Sequence, residues 1–245
     1  MDPNRPPRQK TSPWLYIGCG CGVLVLLGLA SIVGLTVFGY KKGKDFEESF
    51  KDPVKRAAKT REILHYDTLP EGYYPMGGFS VPMTMDMAML TDHEPAPGEG
   101  NKGASEFRER GFIYTVFRSW MIKKPNELRD YLDGKGPRPK WMNRSDIDLE
   151  GREVLSRGHV DLGGTDVLYV ATRNDADRPG RHRNGLVTFL SINCPHDTRQ
   201  RMGLWIGPDP GPGKPAAELE LAGTNADPAA IKAFAGHFRF CEAQP

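Results

Sequence analysis

Polar residues without apolar periodicity open the chain: MDPNRPPRQKTSP, residues 1–13, reads as a disordered basic tail. The pattern then inverts. From Trp14 to Tyr40 the stretch WLYIGCGCGVLVLLGLASIVGLTVFGY carries no charged residue. A bilayer core of about 30 Å is crossed by roughly 20 apolar helical residues. The run therefore predicts a transmembrane helix over 14–40, with surplus length that tilt absorbs. Trp14, Tyr16 and Tyr40 stand near its ends, where amphipathic rings favour the headgroup zone. A cleaved signal peptide ending at Ala30 is the competing reading, but SIVGLTVFG continues apolar beyond it, which suits a retained anchor.

Past the anchor the period becomes helical. Phe46, Phe50, Val54, Ala57, Ala58 and Leu64 recur at three- and four-residue steps, so 41–66 reads as a juxtamembrane helical linker. Asp52-Pro53 marks a fresh helix start, a side-chain cap followed by proline in the first turn. The remainder, 67–245, shows shorter periods. VPMTMDMAML alternates like a strand, with Met83, Met85, Met87 and Met89 expected on a core-facing side and Thr84, Asp86 and Ala88 on the other. GFIYTVFRSWMI reads as a buried strand. KPNELRDYLDGKG reads as a short helix capped by Asn126, with Leu128 and Leu132 on one face and Gly134 as its stop.

Hairpin signals dominate the second half. VLSRGHVDL and DVLYVATRN flank Gly163-Gly164, and GLVTFLSIN and RMGLWIG flank CPHDTRQ. AELELAG is expected as a short strand, Asp227-Pro228 as the start of the helix AAIKAFAGHF, and FRFC as a closing strand. Antiparallel strands with a few segregated helices define the expected fold class, α+β: an N-terminal transmembrane helix, then one domain with a mainly antiparallel sheet flanked by a few helices.

Composition changes this picture little. Lysine and arginine total 33 against 31 acids, a net charge of +2, which gives no reason to expect nucleic acid as a partner. The cysteines matter more. Cys19 and Cys21 lie in the apolar run, leaving Cys194 and Cys241 at the ends of two strand-like segments. That spacing fits a disulfide in an oxidising compartment, with two buried free thiols as the alternative. Basic residues flanking the anchor slightly favour a cytoplasmic domain. The cysteine pair weighs the other way, and the reading settles on a cell-membrane protein with an extracytoplasmic domain.

Candidate chemistry is sparse. The methionine row with His93 offers soft ligands for Cu(I), yet next-nearest residues on a strand stand roughly 6–7 Å apart, so core packing is the better reading. GEGNKG has the letters of a dinucleotide-binding loop without the strand–helix context. GPDPGPGKP imitates a phosphate loop with the wrong glycine spacing and with prolines that remove N–H donors. His65, His93, His159, His182, His196 and His237 show no zinc spacing. His159 and Asp161 share a strand face and form a conceivable acid–base pair, with a hydrogen-bonded structural pair as the plainer reading. Asp197, after His196, is expected to serve its turn. Arg178, Arg181 and Arg183 in DRPGRHRNG suit an anion and equally a solvated loop. In the anchor, Gly18 with Gly22 and Ala30 with Gly34 permit a close helix pair, hence a homodimer. No catalytic, cofactor-binding or metal-binding residue is assigned, and no cofactor is expected.

The basic proline-rich tail, the GCGCG-headed anchor and the ending AFAGHFRFC resemble uncharacterised single-pass membrane proteins of myxobacterial type, which carry no known chemistry. The stretch LPEGYYPMGGFSVPM, the central hairpins and the closing helix resemble the PsbP-like α/β/α sandwich. That resemblance implies an antiparallel sheet flanked by helices and a protein partner. The expectation is a membrane-anchored, non-enzymatic envelope domain that binds a protein or other envelope component. An envelope hydrolase using histidine–carboxylate groups, or a metal-handling protein built on the methionine strand, is the alternative.

Overall fold

The computed structural model describes residues 50–96, 107–118, 125–140, 149, 152–173, 185–195 and 197–241. The basic tail, the apolar run with Trp14, Tyr16 and Tyr40, its small-residue pairs, Phe46, GEGNKG, the arginine loop, His182 and His196 lie outside them. No helix among the described residues is long and apolar enough to cross a membrane. A compact unit begins at Glu47.

Its first helix, α1 (Pro53–Leu64), starts where the sequence predicts. Asp52 accepts from the N–H groups of Val54 and Lys55 at 2.9 and 3.3 Å, satisfying donors that have no intrahelical partner. It ends at His65 in a left-handed conformation, φ 47°. Ile63 and Leu64 are buried in the main core, so this helix belongs to the domain rather than only leading to it. Buried Arg56 ties its start down, donating to Phe50 O at 3.1 Å and Pro95 O at 3.0 Å.

Seven antiparallel strands follow: β1 (Tyr74–Val81), β2 (Met85–Thr91), β3 (Gly111–Phe117), β4 (Glu153–Asp161), β5 (Asp166–Arg173), β6 (Gly185–Asn193) and β7 (Gln200–Pro208). Their order is β1-β2-β3-β7-β6-β5-β4, two meanders joined where β3 pairs with β7. Helix α2 (Pro125–Leu132) lies between β3 and β4 in sequence, and α3 (Pro228–Ala235) follows β7. The class is α+β with a mainly antiparallel sheet, as the patterning predicts.

The two sheet faces carry separate cores. On one, α1 and α3 cover Leu90, Phe112, Tyr114, Val167 and Leu190. Aromatics fill the space: Trp205 stacks on Phe234 at 4.1 Å and 10°, Phe112 on Phe238 at 5.5 Å, and the Trp205 indole N–H donates to the Tyr73 hydroxyl at 2.6 Å. On the other face, Leu128 and Leu132 of α2 pack over Leu168, Val170, Val187 and Phe189. Gly134 ends that helix with φ 75°, as expected, whereas the helix begins at Pro125, so Asn126 lies inside it rather than capping it.

Strand β2 reverses the expected facing. Ala88 and Leu90 are buried in the main core with Asp86 beside them, while Met85, Met87 and Met89 are half-buried on the opposite face. The cause is the approach of α1. Gly78 pairs with Ala88, and a Cβ added at Gly78 would meet Ile63 of α1 at 3.1 Å. Only small residues fit beneath the helix there. Met83 leaves the row altogether, lying in the β1–β2 turn with φ 63°.

Two expected strands are absent from their segments. AELELAG forms a 3-10 turn at Ala216–Glu218 and then runs across the sheet. Asn225 holds it there, donating to Leu186 O at 3.1 Å and Trp205 O at 2.9 Å, while Ser156 Oγ donates to Ala226 O at 2.6 Å. FRFC makes a single bridge, Tyr66 with Phe238, and otherwise delivers Phe238 and Phe240 to the aromatic core.

Candidate functional site

The β4–β5 turn, the end of α3 and the carboxy-terminal segment converge on one open cleft of about 650 Å³. The turn is the Gly163-Gly164 pair, at φ 67° and 94°, a geometry that glycine adopts freely. Asp161 accepts from the Gly164 N–H at 2.8 Å and Leu162 N–H reaches Thr165 O at 3.0 Å, so the turn is fixed. Helix α3 is aimed by Asp227, which accepts from the N–H groups of Ala229 at 2.9 Å and Gly223 at 2.8 Å. Those bonds hold its carboxyl below the ordinary aspartate range. Lys232 falls in the last turn of α3, on the cleft wall.

After α3 the chain alternates. Phe238 and Phe240 turn inward, and Arg239 between them turns out, its Nη2 donating to Asp67 at 2.9 Å and its Nε to His65 O at 3.3 Å. Cys241 then bonds to Cys194 at the end of β6, with Cα atoms 5.3 Å apart, which confirms the predicted disulfide. Thr165 Oγ donates to Cys241 Sγ at 3.3 Å. Asp161, Leu162, Lys232, Phe238, Arg239 and Cys241 together give a wall of apolar groups and charges of both signs.

The histidine singled out in the sequence lies elsewhere. His159 sits opposite Leu168 on the face that α2 covers. Its partner is not Asp161, which serves the turn. Nδ1 lies 2.9 Å from Asp166 Oδ1 and Nε2 lies 3.4 Å from Asp133 Oδ1, so both nitrogens face carboxylates. Arg129 pairs with Asp166, and Lys135 lies 2.5 Å from Asp133 and holds that carboxyl below its ordinary range. The network fastens α2 to the β4–β5 edge.

A second charged group lies under the β6–β7 turn. Asp197 accepts from the Arg199 backbone N–H at 2.9 Å, the turn role expected of it, and also from Arg199 Nη2 at 2.7 Å and Arg201 Nη2 at 2.5 Å. Burial pushes this carboxyl up, but the guanidinium hydrogen bonds outweigh burial and hold it well below the ordinary range. Asp92 follows the same logic. Burial raises it, while backbone N–H groups of Arg110, Glu109 and Arg108 and the His93 side chain lower it further. The His93 Nδ1 is taken up by Asp92 and Thr91, at 3.2 and 3.1 Å. The loop GPDPGPGKP turns acceptors inward, not donors: the Arg173 guanidinium donates to Asp209 at 2.7 Å, Gly211 O at 2.7 Å and Lys214 O at 2.5 Å. It cradles a cation, the opposite of a phosphate loop. Among the described residues no group of three or more His, Cys, Asp or Glu side chains is placed to hold a metal ion.

Lys232, Arg239 and the two phenylalanines were not legible as a site. The one signal was the alternation in HFRFC, which marks an outward arginine between two inward rings but says nothing of the turn it faces. No protein-family model matches the chain, and no curated protein matches it.

Proposed function

We propose that this is a membrane-anchored, non-enzymatic domain that binds a protein or other component of the cell envelope on the extracytoplasmic side. The cleft at the Cys194–Cys241 disulfide carries the reading: it joins apolar groups, Lys232 and Arg239, the Asp161 carboxylate and a covalently fixed carboxy-terminal segment in one open recess. A disulfide supports an oxidising compartment. The uncharged run over 14–40 supports the anchor, and the small-residue spacing of Gly18 with Gly22 and Ala30 with Gly34 supports a homodimer through it. The resemblance to PsbP-like sandwiches supports a protein partner. The hydrolase alternative is disfavoured because a general base needs a nitrogen lone pair aimed at a nucleophile, and His159 directs both nitrogens at carboxylates.

Two measurements test this. A membrane-impermeant maleimide applied to intact cells is expected to label Cys194 and Cys241 only after reduction; labelling only after lysis would place the domain inside. In crosslinked intact cells, charge reversal of Lys232 and Arg239 to glutamate is expected to abolish capture of the bound component, and His159→Ala to preserve it. The opposite pattern would favour a site at His159.

A further inference from the structure

We propose that the outer edge of β4 is a self-pairing surface, on which a second copy of this chain adds its own β4 antiparallel about a two-fold axis at His159. This goes beyond the reading of the cleft and places a contact between copies in the folded domain itself. β4 closes one side of the sheet. Its hairpin fixes which backbone groups face outward. Leu162 N–H donates to Thr165 O across the Gly163-Gly164 turn at 3.0 Å, so Leu162 points its backbone at β5. Antiparallel ladders alternate. Val160, Gly158 and Ser156 therefore also point at β5, while Asp161, His159 and Arg157 point their N–H and C=O groups away from it. All three residues are exposed, and among the described residues nothing takes up those groups.

A bare edge of this kind is a template for another strand unless it is blunted. The far edge is blunted: β1 carries Pro75 and breaks register between Pro75 and Gly77. β4 breaks register between Val154 and Ser156, but from Ser156 to Asp161 it runs unbroken, without proline or lysine. The leucines of α2 pack over β5 and β6, not over this outer edge.

Charge selects both occupant and register. Arg157, His159 and Asp161 alternate onto one face of the sheet. Arg157 lies against Gly134 and makes no ion pair among the described residues. Asp161 uses Oδ1 on the Gly164 N–H, and its Oδ2 has no partner among them. Pairing centred on His159 sets Arg157 opposite the partner's Asp161 and Asp161 opposite the partner's Arg157, with every outward group bonded. The two His159 rings meet at the axis, each already between the carboxylates of Asp166 and Asp133. Centring on Arg157 would face guanidinium against guanidinium and Asp161 against Glu153. Centring on Gly158 would set Arg157 against His159 and carry Asp161 onto the break in register. One register alone is complementary in hydrogen bonds and in charge, and a second copy supplies it by symmetry.

The test uses the full chain in native membranes, with Cys19→Ser and Cys21→Ser so that an introduced thiol is the free one. A residue on the axis stands about 5.5 Å from itself between Cα atoms, within disulfide reach. After oxidation with copper phenanthroline, His159→Cys is expected to give at least tenfold more cross-linked dimer than Val154→Cys, which is exposed on the same strand but off the axis. Adding Arg157→Asp, or adding Asp161→Arg, is expected to lower the dimer at least fivefold. Co-expression of those two chains, one carrying a larger tag, is expected to restore it to within twofold as the mixed dimer, which also shows that both chains fold. Equal cross-linking at 154 and 159 would mean proximity without strand pairing and would overturn the proposal. So would failure of the co-expressed pair to restore the dimer, or cross-linking of position 159 to a different protein.

Discussion

Arg201 keeps 2% of its surface exposed, and a guanidinium buried to that degree persists only with an anion against it. Asp197 is that anion, and it also fixes the turn through Arg199. Asp197→Asn would leave the buried cation without a carboxylate and is expected to cost about 3–5 kcal/mol, measured by denaturant unfolding. The pH dependence has a definite sign. The folded-state pKa of Asp197 lies below its unfolded value, so its contribution is fully present above about pH 4 and is lost as pH falls through the folded value. Asp92 adds a loss in the same window. Melting temperature is therefore expected to fall steeply below about pH 4 in the natural chain and less steeply in Asp197→Asn. At this scale the sequence was half legible. Asp197 in a turn and Asp52 at a helix start were readable because their partners are local in the chain. The facing of Met85, Met87 and Met89 was not, because it depends on Ile63 arriving over Gly78 from a distant helix.

The elements divide along the same line. Helices α1 and α3 begin at Asp-Pro pairs, and the β4–β5 hairpin turns on two glycines, because caps and turns are written in adjacent residues. The segments AELELAG and HFRFC have strand-like composition and form no strand, since their contacts are made to the face of the sheet rather than to its edges. One is held across the sheet by Asn225 and the other is locked over it by a disulfide. That lock has a measurable worth. Cys194 and Cys241 are 47 positions apart, and cross-linking a loop of that size constrains the unfolded chain by about 4 kcal/mol. The Cys194→Ser, Cys241→Ser double variant is expected to lose about 2–4 kcal/mol. It should also show faster amide exchange through α3 and the cleft wall, with β1–β3 affected least.

Across the whole domain, the sheet has a seam. Two meanders meet where Gly111–Phe117 pairs with Gln200–Pro208, residues far apart in the chain. The hairpins on either side are local and were readable. The seam was not, since nothing near GFIYTVF names RMGLWIG as its neighbour. A chain ending before Gln200 is expected to lose protease resistance across residues 50–118 as well as at its new end, because β3 would lose the strand that links it to β4–β6.

The same seam sets a problem of timing for a chain made from its amino end. Ribosomes add about 5–20 residues per second, so on the order of ten seconds separates the emergence of Phe117 from that of Gln200. Throughout that interval β3 presents a bare row of amides and carbonyls to whatever is nearby, the condition under which strands pair with the wrong neighbour. A nascent chain of this protein is then a natural client for a holding chaperone, and crowding of unfinished copies on one polysome would be its characteristic hazard.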